Sequence, residues 1–160
     1  MEQTKDELIS SIEAAFSGVK LGSGVSWREA DVIDDYGSRS EREAARAQDE
    51  KEDWTKIPFD LIGDLRYQAV LSFMDDEGLK FHLPACLIYF LKASNESDSA
   101  IIDSTLFTLM DERRIKNLKP LLDQAQQSCI INFLKWANDQ EPHNSFIKKR
   151  LVKAIKEYWS

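Results

Sequence analysis

Two cysteines and two histidines are all that the 160 residues offer for thiol or imidazole chemistry. Cys86 and Cys129 are too few for a disulfide framework or a metal cage, and their apolar neighbours mark them as buried thiols of a reducing cytoplasm. His82 and His143 have no second His or Cys at ligand spacing, so HExxH and paired CxxC are both missing and no metal or cofactor is expected. No apolar run approaches the ~20 residues that cross a bilayer. The opening MEQTKDELISSIEAAF has neither the basic start nor the apolar block of a signal peptide. Glycine is scarce too. Three of the six fall in GVKLGSGVS, spaced G-x-x-x-G-x-G after a helix and without Lys-Ser/Thr, so this is a turn or hinge and not a phosphate loop. The serines lack a G-x-S-x-G elbow, and no period of 20–50 residues repeats.

What is present is 42% hydrophobic and 31% charged, with a formal charge of −7. The length suits a single domain over 1–160, able to bury ~70% of its unfolded surface. The charge is concentrated. Residues 29–64 hold twelve acids against five bases, a net −7, while the other 124 residues hold sixteen of each. Such a segment repels nucleic acid and anionic membranes and attracts a basic protein surface, although a charged face also serves solubility alone. Lys148, Lys149, Arg150, Lys153 and Lys156 near the C-terminus read as a solvated helix face.

The hydrophobic pattern is helical. Three capping boxes, Thr4–Glu7, Ser26–Glu29 and Ser40–Glu43, open helices. The first buries Leu8, Ile9, Ile12, Ala15, Phe16 and Val19 and stops at Gly18; the second turns Trp27, Ala30 and Ile33 inward. The third, through about Glu52, has only Ala44, Ala45 and Ala47 as apolar residues, and so reads as an exposed, mobile arm pinned by Trp54 and Ile57. Pro58 opens a short helix to about Asp64. Residues 66–74 fit helix or extended chain, and Asp75-Asp76-Glu77-Gly78 reads as a turn or one helical turn. The central buried helix spans 84–92 with Pro84 near its start. A polar loop covers 94–99, and Thr105–Met110 is the best strand candidate. Helices over 120–137 and 146–159 close the chain, the last with Phe146, Ile147 and Leu151 inward. The expected fold is all-α, six to eight helices in one compact domain, with room for a short extended pair.

Catalytic chemistry finds little support. A His82–Cys86 base–thiol pair would lie one helical turn apart, but Pro84 interrupts it and nothing nearby lowers the thiol pKa, so His82 is a hydrogen-bonded structural histidine. Asp31, Asp34 and Asp35 share a helix face and could hold a cation with Glu43 or Asp49, yet their spacing is not that of an EF-hand. Ion pairing to Arg28, Arg39 or Arg42 is the simpler expectation. No sugar-stacking cluster accompanies the carboxylates, and the four Trp sit at helix ends as anchors.

VIDDYG, DEKEDW at 49–54, LSF and above all DEGLKFHLPA at 76–85, between IEAAF and a terminal YW, resemble a bacterial family of small uncharacterised domains over about residues 9–159. The resemblance implies no activity, cofactor or substrate. It singles out Glu13, Phe16, Asp34, Asp35, Asp49, Glu50, Trp54, Phe81, His82, Leu83, Pro84 and Ala85, with the last six taken as structural.

The functional expectation is a non-enzymatic cytoplasmic interaction module, of the immunity or antidote kind that covers a basic partner. Asp31, Asp34, Asp35, Asp49, Glu50 and Asp53 would form its contact face. The alternative is a small enzyme or ligand-binding domain with a pocket at Phe81, His82 and Trp54, and Asp34 or Asp35 as its polar groups. A homodimer exchanging the 40–53 arm is a third reading. Neither membrane nor nucleic acid is expected as a partner.

Overall fold

The computed structural model describes residues 3–93 and 100–160, so the polar loop expected over 94–99 lies outside the described residues. The described chain is helical throughout, with no strand. Nine α-helices, the last prolonged by a π-helical turn, exceed the six to eight expected, and the extended pair is absent among the described residues. Backbone proximity groups the chain into two compact units, one of residues 1–17 and 109–160, the other of residues 18–108.

The first unit is built from both ends of the chain. Helix α1 (Lys5–Ala15) is capped by Thr4, whose hydroxyl accepts from the Glu7 amide at 3.2 Å. It buries Leu8 and Ile12 against α8 (Gln124–Gln140). The Gln126 side-chain amide donates to the Ala15 carbonyl at 3.1 Å, and the Cys129 thiol to that of Ser11 at 3.3 Å. The helix expected over 120–137 begins later than its proline suggests: Lys119–Leu121 is a 3-10 turn, and Asp123 forms the capping box with Gln126. After α7 (Glu112–Leu118) and α8, α9 (Phe146–Lys153) widens into the π turn Ala154–Trp159. There Trp159 is buried, and its indole donates to the Leu109 carbonyl at 2.9 Å. Phe146, expected inward, is 72% exposed; at the first helical position its ring instead meets the Arg150 guanidinium at 5.7 Å.

The second unit holds the charged segment. In order come α2 (Trp27–Asp34), α3 (Arg39–Ala47), α4 (Phe59–Gly63) and α5 (Asp76–Ala93), with 3-10 turns at Trp54–Lys56, Leu65–Tyr67 and Val70–Phe73. Residues 66–74, undecided in sequence, therefore resolve into tight turns. Helix α5 is twice as long as expected: the Asp75 carboxylate accepts from the Gly78 amide at 2.9 Å and opens the helix eight residues before Pro84. Its residues are buried on nearly every side, so no polar stripe marks its start, and Pro84 sits in the interior. The same Asp75 oxygen takes the Val25 amide at 2.9 Å, drawing the glycine loop onto α5. A Cβ on Gly24 would stand 2.7 Å from the Gly78 nitrogen, so the two backbones touch where only glycine fits.

The expected strand over 105–110 belongs to α6 (Ala100–Met110), whose last two residues fall in the first unit. The β-branched Thr105 and Thr108 suggest extended chain, but their hydroxyls donate back to the Ile101 and Ser104 carbonyls at 2.7 and 2.8 Å, which suits a helix.

Candidate functional site

Helix α3 is no free arm. Its capping box is Ser38 with Glu41, two residues ahead of the one expected, because the Gly37 amide closes onto the Val32 carbonyl at 2.8 Å and the chain reverses at once. Glu43, freed from capping, pairs with Arg39 at 3.0 Å. Arg42 and Arg46 reach back to the buried Glu29 of α2 at 3.0 and 3.3 Å. Arg46 also donates to the Gly22 carbonyl at 2.6 Å and to that of Gly24. Polar contacts thus dock a helix that its apolar content could not.

That docking delivers Asp49 into the body of the unit. Asp49, 7% exposed, accepts from the Ser26 hydroxyl and the Arg28 amide, both at 2.7 Å, and from the Arg28 guanidinium at 2.8 Å. It thus adds to the Ser26–Glu29 cap of α2 from outside the helix, meeting the amide of the second helical residue. Burial opposes the charge of Arg28, but Asp49 and then Tyr67 outweigh it and hold the guanidinium pKa above its ordinary value.

Above this pair lies a cleft of about 320 Å³. Trp27, Arg28, Gln48, Asp49 and Glu50 form one part of its lining, and Lys56, Ile57, Pro58, Leu61 and His82 the rest. His82 is fully buried, and its Nδ1 lies 2.7 Å from the Gly78 carbonyl. A carbonyl only accepts, so Nδ1 carries the proton and Nε2 is left as an acceptor. Burial pushes the imidazole pKa down to about 4, keeping the ring neutral. The Trp27 ring lies 5.6 Å from that of His82, and its buried indole N–H has no acceptor among the described residues.

Of the pocket residues expected in sequence, His82 lines the cleft, whereas Phe81 and Trp54 are core residues outside the lining. Asp49 and Glu50 stand where Asp34 or Asp35 were expected. The sequence marks Trp27 only as an inward anchor; its missing acceptor has no signature there. Leu83, Pro84 and Ala85 are buried within α5.

The six acids expected to form one contact face divide. Asp49 is used internally. Glu50 accepts from the Glu52 and Asp53 amides at 3.0 and 3.1 Å, and Asp53 from the Thr55 amide and hydroxyl at 3.0 and 2.6 Å. These bonds hold both carboxyls below their ordinary pKa. Asp31, Asp34 and Asp35 are different: their expected partners are engaged elsewhere, Arg28 with Asp49, Arg39 with Glu43 and Arg42 with Glu29. Burial, then repulsion from Asp35 and Asp34, raises the pKa of Asp31. Directly after them Tyr36 is 97% exposed with φ 57°, a left-handed conformation uncommon outside glycine. Leu65, 61% exposed, and Phe73, 37% exposed, stand on 3-10 turns that pack against α2.

Neither thiol is poised to react. Cys86 is buried, which pushes its pKa up to about 12, and burial also raises that of Cys129. Among the described residues no group of three or more His, Cys, Asp or Glu is arranged to hold a metal ion. No helix among them is long and apolar enough to cross a membrane. No curated protein and no solved structure matches this chain. A model of a family of unknown function, DUF6714, matches residues 4–160, and the chain belongs to that family.

Proposed function

We propose that this protein is a non-enzymatic interaction module that meets a basic protein partner through the C-terminal end of α2. The observation that carries this reading is Tyr36, displayed at 97% exposure in a left-handed backbone beside three carboxylates. A strained non-glycine residue costs roughly 1–3 kcal/mol, and it persists where its position matters. Tyrosine is a frequent interface anchor, and negative charge beside it steers a partner of opposite sign. Asp31, Asp34 and Asp35 supply the charge, and Leu65 and Phe73 add apolar area on neighbouring turns. This is a smaller and differently centred surface than the six-acid face expected from sequence. A weakly basic buried imidazole and two buried thiols support a role without catalysis, and free thiols suit a cytoplasmic setting.

The test is capture from source lysate at low and high salt by the wild type, by D31N/D34N/D35N and by Y36S. The reading expects a basic protein bound at low salt, weakened at least tenfold by the triple substitution and by Y36S. Equal capture by all three proteins, or binding indifferent to salt, overturns it.

A further inference from the structure

We infer that the outward face of α9 docks on the C-terminal end of α2 in a second copy of this chain, so that the protein associates head to tail. The acidic half of this contact rests on the proposed partner surface and names an occupant for it; the basic half stands on its own observations. Residues 146–160 hold five bases and one acid. Phe146, Lys149, Val152, Lys153 and Lys156 are all exposed, and steps of three and four residues set them along one side of the helix. Lys148 is turned to the Asn138 carbonyl at 2.8 Å, and Arg150 to the Phe146 ring. Lys149, Lys153 and Lys156 pair with no carboxylate among the described residues. The helix dipole accounts for bases near a C-terminal end, but not for two apolar side chains left open beside them.

The end of α2 has the complementary composition. Asp31, Asp34 and Asp35 stand where the helix dipole is negative, with no base in the last turn. Arg66 acts on Asp31 without pairing with it, its guanidinium lying 5.7 Å from the centre of the Tyr67 ring. Tyr36, and Leu65 on a turn packed against α2, supply exposed apolar area. Asp31 and Asp35 are one helical turn apart, as are Lys149 and Lys153, so two ion pairs can form together between facing helices. Charge also decides among occupants. A nucleic acid or an anionic membrane would suit the α9 face but is repelled by the −7 of residues 29–64. A second copy turns that same charge into the attraction, and supplies it at the concentration of the bases.

Sedimentation velocity of the purified protein from about 10 µM to about 1 mM covers the range expected of a small, charged interface. At low salt the weight-average mass should climb with concentration, and high salt should return it to that of one chain. K149E/K153E and D34K/D35K should each stay monomeric. Their equimolar mixture should associate again, because the untouched α9 of one copy meets the untouched α2 end of the other. F146S, which changes no charge, should weaken association at least threefold. K116E/K135E, which carries the net charge of K149E/K153E on α7 and α8, should associate as the wild type does. A wild type that stays monomeric overturns the inference, as does a mixture that fails to associate. So does association unchanged in K149E/K153E or F146S, or lost equally in K116E/K135E. The α9 substitutions leave the acidic surface intact, which separates the two readings. Capture of a foreign basic protein by K149E/K153E, with no self-association of the wild type, strikes this inference alone. D34K/D35K without effect on either kind of binding strikes both.

Discussion

His82 shows how one side chain can be legible in kind and illegible in consequence. Its position between Phe81 and Leu83 announces burial, and a buried histidine needs a partner. What sequence withholds is which atom the ring finds; that depends on Asp75 starting α5 early enough to bring the Gly78 carbonyl one turn below. The consequence is measurable against pH. An unfolded histidine takes up its proton near pH 6.5, whereas the folded one resists until about pH 4. Stability therefore falls as pH drops through that window, by up to about 3 kcal/mol. Urea unfolding of the wild type and of H82N between pH 7 and pH 4 should show the wild type losing its advantage as acid is added. Parallel curves would show that His82 titrates alike in both states.

At the scale of the helix, sequence reading succeeds where the chain caps itself and fails where helices are held from outside. Thr4 with Glu7 and Ser26 with Glu29 are local and readable. SRSERE contains two overlapping boxes, Ser38–Glu41 and Ser40–Glu43, and only the reversal at Tyr36-Gly37 decides between them. The docking of α3 is unreadable for the same reason, since Arg42 and Arg46 look like solvated charges until Glu29 is placed beside them. Glu29 with Arg46 should behave as a coupled, part-buried pair. A double-mutant cycle of E29Q and R46M by urea unfolding should give a coupling of about 1–2 kcal/mol, with strict additivity as the contrary result. Thr105 and Thr108 mislead in the opposite direction, because strand preference measures how a side chain packs and not where its hydroxyl can turn.

For the molecule as a whole, the order of elements along the chain matters more than their number. The unit of residues 1–17 and 109–160 is closed by hydrogen bonds between residues 111 and 118 positions apart, from Gln126 to Ala15 and from Cys129 to Ser11. Closing such loops is slow for a helical protein, because the entropy of closure must be met before the contact contributes. Stopped-flow refolding by tryptophan fluorescence should give milliseconds to seconds. A microsecond rate, typical of bundles with local contacts, would contradict it. Burial of α1 and α8 is visible in their apolar stripes, but a stripe does not name its partner, so their pairing is not.

The same separation sets a timetable during synthesis. Between Ala15 and Gln124 lie 108 residues, which a ribosome adds in roughly 5–20 s at about 5–20 residues per second. Throughout that interval Leu8 and Ile12 are translated but lack the helix that will cover them. Eleven residues are also too few to hold a stable helix alone. The nascent chain therefore carries an adhesive segment until α8 emerges, and it is during that interval that it most needs a chaperone.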